Sequence, residues 1–457
     1  MPLAIKDKRV LVLGLGDTGL SALRWLKRQG AILSVADTRE SPPGLNAVQQ
    51  EMPSVQIVLG PLQINLLQAQ DLLVVSPGVP LATPEIQQAI ASGVQAIGDV
   101  ELFAQFRDPS AKMIAITGAN GKSTVTTLVG EMCKAAGLKT VIAGNIGLPV
   151  LDTLDGEMPD VYVLELSSFQ LETTYSLAVD AATVLNLSED HMDRYDGMAD
   201  YAAAKARIFQ SGGVQVLNRQ DAWSANMALS GRKVVTFGDD AAQNADDFGL
   251  MRDGEKVWLM QGETRLIEAS ELKIAGLHNA TNALAALALC RAIGLEFGSL
   301  LDTLRNFKGL PHRVEWVADI GGISFYDDSK GTNVGATCAA LHGLPQNVVL
   351  IAGGDGKGQD FMPLAASVKE NARAVVLIGR DAIVIERALA SAGVLMLKAD
   401  SLEQAVEIAF KTALSGDAVL LSPACASFDM FRNYVHRAEV FCSAVHALAS
   451  ASEEIAR

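Results

Sequence analysis

Thr117-Gly118-Ala119-Asn120-Gly121-Lys122-Ser123-Thr124 follows an apolar run from Met113 to Ile116 and precedes a helical stretch expected to begin at Ser123. A strand, a glycine-rich turn and a helix in that order form a phosphate cradle. Gly118 and Gly121 let backbone N–H groups approach phosphate oxygens, Lys122 brings a point charge for the β- and γ-phosphates, and the Ser123 hydroxyl can hold Mg²⁺ at the helix N-terminus. The strict pattern would place a glycine where Ile116 stands, so the loop is a shortened variant opening at Gly118. The ligand expected here is ATP or GTP.

Upstream, Arg9-Val-Leu-Val-Leu-Gly-Leu-Gly opens a second glycine-rich turn, with Gly14, Gly16 and Gly19 in G-x-G-x-x-G spacing before a helix expected over Ser21 to Gln29. Asp37 ends the next apolar run, as the acidic residue of a dinucleotide fold does where it meets a ribose hydroxyl. Asp71-Leu-Leu-Val-Val-Ser76-Pro77-Gly78 is another buried strand stopped by Pro and Gly. The three glycines serve either ligand binding or strand–helix packing, and the spacing leaves the ligand open.

Arg107-Asp-Pro-Ser-Ala-Lys112 is polar and is expected to be a linker into the phosphate-loop block. Beyond it two apolar runs end in polar residues, Val161-Tyr-Val-Leu-Glu165 and Ala182-Thr-Val-Leu-Asn186-Leu-Ser-Glu-Asp-His191. Ligands of α/β sheets collect at the carboxyl ends of strands, so Glu165 and His191 are expected beside Lys122 and Ser123, where a metal would sit. Mg²⁺ prefers oxygen ligands, and a histidine in the set leaves Mn²⁺ as an alternative. Lys205, in Tyr201-Ala-Ala-Ala-Lys205, is a surface lysine by composition. After Gly309-Leu-Pro-His-Arg313 strand and helix signals alternate again. Strands are expected at Val348–Ala352, Ala374–Ile378, Val394–Lys398 and Ala418–Ser422 with a helix at Ser401–Leu414, a further parallel sheet. Gly353-Gly-Asp-Gly-Lys-Gly358 and Ser422-Pro-Ala-Cys-Ala-Ser-Phe428 follow strands and are either ligand loops or plain turns.

At 457 residues the chain exceeds a single core, and 49% hydrophobic with 19% charged residues describes packed domains, not a disordered chain. A net charge of −15 argues against nucleic-acid or membrane-surface partners. Five scattered cysteines with no Cys-x-x-Cys pair suggest neither a disulfide framework nor a zinc site, and together with the absence of an apolar run of membrane length they point to the cytoplasm.

In order along essentially the whole chain, Thr117-Gly-Ala-Asn-Gly-Lys-Ser-Thr124, Gly144-Asn-Ile-Gly147, Glu165-Leu-Ser-Ser-Phe-Gln170, Glu189-Asp-His-Met-Asp-Arg-Tyr195, His278-Asn-Ala-Thr-Asn282, Pro311-His-Arg313 and Asp328-Ser-Lys-Gly-Thr-Asn333 resemble the Mur ligase family. These are ATP-dependent amide-forming enzymes of peptidoglycan precursor synthesis. Asp37-Thr-Arg39 and Ser422-Pro-Ala-Cys-Ala-Ser-Phe-Asp-Met-Phe431 resemble the branch that adds D-glutamate. The resemblance implies an α/β protein of three domains: a Rossmann-like domain over 1–106 for a UDP substrate, a central P-loop ATPase-like domain over 107–310, and a Rossmann-like amino-acid-binding domain over 311–457. The expected substrates are UDP-N-acetylmuramoyl-L-alanine, D-glutamate and ATP, joined through an acyl phosphate by a monomer.

Carried over residue by residue, the resemblance places Gly118, Asn120, Gly121, Lys122, Ser123, Thr124, Asn279, Asn282, Arg313 and Asp328 on ATP. Lys122, Asn145, His191, Lys205 and Lys330 face the reacting groups. Ser123, Glu165, His191 and a Lys205 carbamate made from CO₂ would hold two Mg²⁺ ions. Thr18, Asp37, Thr38, Arg39, Ser76 and Gly78 would take the UDP end, so that the first block binds a uridine nucleotide and not NAD, while Thr332, Lys357, Ser427 and Tyr434 would take D-glutamate. Ala119, Gly331 and Tyr434 depart from the family's common threonine, alanine and phenylalanine, and the Tyr434 hydroxyl needs a partner if buried.

Overall fold

The computed structural model describes residues 3–274 and 276–456. Strands β1 (Arg9–Leu13), β2 (Ile32–Asp37), β3 (Gln56–Leu59), β4 (Leu72–Val75) and β5 (Gln95–Ile97) form a parallel sheet in the order β3-β2-β1-β4-β5. The order reverses between β1 and β4, so the turns after them, carrying Gly14 and Ser76, open a crevice at the sheet's carboxyl edge. The following helix starts at Asp17, earlier than expected. Gly19 is required there, because a Cβ would stand 1.9 Å from Gly14 O.

The second sheet is also parallel: β6 (Lys112–Thr117), β7 (Thr140–Gly144), β8 (Val161–Glu165), β9 (Ala181–Val184), β10 (Val214–Asn218) and β11 (Val234–Phe237), ordered β11-β10-β9-β6-β8-β7. The inner strands are buried along nearly their whole length, which is why they read as continuous apolar runs. β6 lies between β8 and β9, so the phosphate loop leaves the sheet flanked by Glu165 on one side and the segment to His191 on the other. The helix after the loop, Lys122–Ala135, packs beneath Leu277–Ala292, whose Ala280, Ala283, Ala285, Ala286 and Ala288 allow close approach. An antiparallel meander, β12 (Phe248–Asp253), β13 (Lys256–Gln261) and β14 (Thr264–Glu268), lies outside the sequence expectations. It turns Phe248, Leu250, Leu259 and Ile267 into the same core.

The last sheet comprises β15 (Glu315–Ile320), β16 (Ile323–Asp327), β17 (Val348–Gly353), β18 (Ala372–Ile378), β19 (Leu395–Lys398) and β20 (Ala418–Leu421), ordered β15-β16-β20-β17-β18-β19. The four strands expected here, β17 to β20, are parallel, while β15, outside that expectation, runs antiparallel to β16 at one edge. Gly321 and Gly322 both have positive φ and make the tight turn between them. β20 lies between β16 and β17, bringing the loops 328–333, 354–358 and 422–428 to one edge. Arg437, only 1% exposed, staples two of them by donating to Ser329 O and Oγ and to Cys425 O.

The expected linker is pinned, since Arg107 donates to Asp108 O, Ala111 O and Ala178 O, and Lys112 already belongs to β6. At the same seam Gly98 N donates to Thr173 O, and Asp99 beside it is fully buried with Oδ1 unpartnered. Burial raises the Asp99 carboxyl to about 6, and a hydrogen bond from Val100 N offsets this only in part. A carboxyl that holds its proton more tightly when folded stabilises the fold at low pH and loses that contribution as pH rises through about 6. Asp99→Asn is therefore expected to be about 1–3 kcal/mol more stable than the parent at pH 8, the gap closing by pH 4. Thermal midpoints at the two pH values check this, and equal midpoints at pH 8 would sink it.

Candidate active site

Three cavities run into one another along the carboxyl edges of the sheets. The first, about 790 Å³, is lined by Thr18, Asp37, Thr38, Arg39, Ser76 and Gly78, and ends at Asn145 and Gly147. Asn145 and Gly147 also line the second, about 720 Å³, together with Lys122, Ser123, Glu165, His191, Lys330, Thr332, Lys357 and Tyr434. Asn120, Gly121 and Arg313 are shared by the second and the third, about 680 Å³, which adds Thr124, Asn279, Asn282 and Asp328. Nearly every site residue expected from sequence thus lies along one groove, and two exceptions lie in its walls. Gly118, with φ +153°, turns its carbonyl to Lys122 and Lys205. Lys205 is 1% exposed, correcting its reading as a surface lysine. Ser427 does not line the groove: it is buried, and its carbonyl accepts from Met430 and Phe431 N–H in a turn.

In the first cavity Asp37 lies among the lining residues and is also held from within the protein. Its carboxylate accepts from Leu15 N at 2.7 Å, Arg39 N at 2.9 Å, and the Arg39 guanidinium at 2.7 and 2.9 Å. Burial would raise this carboxyl, but the bonds from Arg39 and Leu15 outweigh it and hold it at about 2. Asp37 is an anionic brace that aims Arg39, and Arg39 offers the surface its cation.

The middle cavity concentrates charge. Lys122 folds back on its own loop, donating to Gly118 O and Ala119 O. Its helix begins one residue before the expected Ser123, after Gly121 in left-handed conformation at φ +82°. Burial lowers Lys122 below the ordinary lysine range, opposed by Glu165 and Asp190. Glu165 Oε1 accepts from Asn145 Nδ2 at 2.7 Å, while Oε2 is buried with no partner. Lys205 Nζ donates to Gly118 O at 2.9 Å and Thr117 Oγ1 at 3.2 Å and lies 4.7 Å from the centre of the Tyr201 ring. Burial, and then repulsion from Lys122, push it well below the usual lysine value. His191 is lowered to about 4, burial outweighing the nearby Asp190, so its ring is neutral and able to ligate. It packs edge-on against Phe169, whose face carries Arg194.

The last domain closes this cavity through contacts that the sequence alone does not reveal. Asp190 accepts from Lys357 Nζ at 2.5 Å, and Lys357 and His191 both have positive φ, as do His312 and Val314 in the same groove. Non-glycine residues in that conformation are uncommon and collect at functional sites. Asn333 Nδ2 donates to Asn120 Oδ1 at 3.0 Å, Arg313 to Ser123 Oγ at 3.3 Å, and His312 Nδ1 pairs with Asp327 at 2.7 Å. Asp328, packed against Ser422 at 2.7 Å, is raised to about 7 by burial. Gly331 permits this arrangement, because a Cβ would stand 2.5 Å from Asp328 Oδ2. Tyr434, partly exposed, presents its ring to Lys330 Nζ at 3.8 Å.

Residues 8–98 match the Mur ligase MurD-like N-terminal domain, 116–290 the Mur ligase middle domain and 312–425 the Mur ligase glutamate ligase domain. A protein of Methylobacillus flagellatus is 67% identical over 443 residues, covering 97% of this chain and 98% of its own length. The chain belongs to the Mur ligase family. That relative is named UDP-N-acetylmuramoylalanine--D-glutamate ligase, as is one of Thiobacillus denitrificans, 58% identical with 99% of each chain covered. Solved Mur ligases share the fold at lower identity. UDP-N-acetylmuramate-alanine ligase MurC of Thermotoga maritima is 19% identical, with 96% of this chain and 100% of that one covered at a TM-score of 0.59. MurF of Acinetobacter baumannii is 16% identical, with 95% and 93% covered at 0.60.

Proposed function

We propose that this Mur ligase joins D-glutamate to UDP-N-acetylmuramoyl-L-alanine at the expense of ATP, releasing ADP and phosphate in peptidoglycan precursor synthesis. The observation that carries the reading is the continuity of the groove: Asn145 links the first-domain cavity to the middle one, and Asn120, Gly121 and Arg313 link the middle one to the third. The UDP end lies by Thr18, Asp37, Thr38, Arg39, Ser76 and Gly78, the triphosphate on the loop 117–124, and the reacting carboxylate between them. High identity to relatives of that name over nearly full length supports the choice of substrates.

In the first step a carboxylate oxygen of the UDP substrate attacks the γ-phosphorus and the bond to ADP breaks. In the second the D-glutamate nitrogen attacks the acyl carbon of the resulting acyl phosphate, and inorganic phosphate leaves. Such chemistry is a matter of alignment and charge neutralisation. Lys122 swings from its loop carbonyls onto the phosphates, Arg313 beside Ser123 meets the same oxygens, and Lys330 and Asn145 face the reacting carboxylate. Lys357, already paired with a carboxylate in Asp190, exchanges it for a carboxylate of D-glutamate, with Thr332 and Tyr434 alongside.

The donor set fits divalent cations, because Glu165 Oε2 is a buried acceptor without a partner and Ser123 and His191 line the same cavity. Bound there, Mg²⁺ neutralises charge on the transferring phosphoryl group. Among the described residues Lys205 donates to Thr117 and Gly118 and to no carboxylate, and burial holds it toward its neutral amine, the form that adds CO₂; its carbamate would supply the oxygens Mg²⁺ prefers. The proposal includes a monomer working in the cytoplasm, which five unpaired cysteines support; no helix is long and apolar enough to cross a membrane among the described residues.

Phosphate release with ATP, Mg²⁺ and UDP-N-acetylmuramoyl-L-alanine tests the reading. Dependence on D-glutamate, with L-glutamate, L-alanine and a diamino acid inactive, is the expected result. Release driven by another amino acid would move the chain to a different step of the family.

A further inference from the structure

Of the buried side-chain nitrogen and oxygen atoms that lack a hydrogen-bond partner among the described residues, only two belong to residues lining the groove: Glu165 Oε2 and Gln346 Oε1. The first lies in the proposed metal set, whereas the second stands at the far end of the third cavity. Position along that cavity follows from the helix Leu277–Ala292. Asn282 lies against the phosphate loop, its Oδ1 2.6 Å from where a Gly121 Cβ would stand. One turn earlier come Asn279 and His278, and the His278 ring lies against Gly343, with Cε1 3.1 Å from where a Cβ would stand there. The chain then passes through Leu344 and Pro345 to Gln346. Gln346 therefore lies toward the end away from the phosphate loop, where the base would stand with the triphosphate on residues 117–124. Ile274, Ala340 and the half-exposed Trp316 indole, which line the third cavity and not the middle one, give it apolar walls suited to a flat ring.

We infer that Gln346 selects the nucleotide base, its Oε1 accepting from the exocyclic amine of a 6-aminopurine. This rests on the reading of the groove as the ATP site. A buried acceptor with no donor costs free energy, and a ligand that brings the donor recovers it. A 6-oxopurine would instead set oxygen against oxygen. Discrimination by a hydrogen-bonding group that one ligand satisfies and the other leaves unpaired exceeds what an apolar slot achieves, because the slot accepts either ring by shape. A glutamine amide also matches the adenine edge in kind, with one acceptor for the amine and one donor for a ring nitrogen.

The test is the ratio of kcat/KM for ATP and for inosine triphosphate, in the full chain and in Gln346→Leu and Gln346→Glu. The parent is expected to favour ATP by roughly ten-fold or more, with Gln346→Leu bringing the two within roughly three-fold. Gln346→Glu keeps an acceptor and is expected to retain the preference. An unchanged ratio in Gln346→Leu, or a parent that prefers the inosine nucleotide, overturns the inference. The same ratio read from calorimetric binding of ADP and inosine diphosphate, without the other substrates, tests Gln346 separately from the reaction. Absence of phosphate release from the parent with ATP would count against the ligase reading and leave the binding ratio to decide Gln346.

Discussion

Lys205→Arg is expected to lower D-glutamate-dependent phosphate release by about 10²–10³-fold, the scale on which loss of a preorganised charge-stabilising group slows a reaction. The substitution keeps the donors to Gly118 O and Thr117 Oγ1 but removes an amine able to carry a carbamate. An ordinary structural lysine would tolerate it: the native bonds, to Gly118 O and Thr117 Oγ1, are ones a guanidinium can also donate. Two further measurements separate the readings. Exhaustive removal of CO₂ and bicarbonate should depress the parent and be reversed by adding bicarbonate. Formate or acetate should restore part of the activity of Lys205→Ala by supplying carboxylate oxygens in the space left. Full activity of Lys205→Arg would sink the carbamate.

Glu165→Gln should cost about 10²–10³-fold in kcat/KM for ATP and shift the Mg²⁺ requirement upward. The substitution is nearly isosteric, and Oε1 remains to accept from Asn145 Nδ2. What disappears is the charge, together with the acceptor at Oε2 that has no partner among the described residues. If Glu165 served only to orient Asn145, the glutamine would do so as well, and the Mg²⁺ titration would not move. Asn145→Ala offers the complementary case, since it leaves the carboxylate intact and should lower turnover without displacing the Mg²⁺ midpoint.

Much of the groove was legible in the chain because its parts sit at strand ends. The phosphate loop, Glu165, and the turns at Gly14 and Ser76 are each announced by an apolar run that stops at a polar or glycine residue, which is how a buried parallel strand ends. The roles of Lys205 and Asp37 were not announced in this way. The alanine-rich helix around Lys205 has no polar face opposite it to reveal which side is buried, and only the packing of Met198–Ala206 beside the phosphate loop sends the amine inward. Asp37 lines the first cavity, and no local pattern shows that Arg39, two residues on, also donates to its carboxylate. Gln346 belongs to no pattern, and the pairing of Asp190, though it stands in the motif 189–195, depends on Lys357 far away in the chain.

The order of strands, turns and helices, the two glycine-rich cradles and the membership of the family were determined by local sequence, because periodicity, turn chemistry and phosphate-loop geometry act over a few residues. The antiparallel edge strand β15, the meander β12–β14, the burial of Lys205 and the pairing of Lys357 with Asp190 were decided only by tertiary structure. The physical reason is that hydrogen bonding between strands, desolvation and charge pairing depend on which distant segments come to lie side by side, and the same residues would be solvated and unpaired in any short piece of the chain.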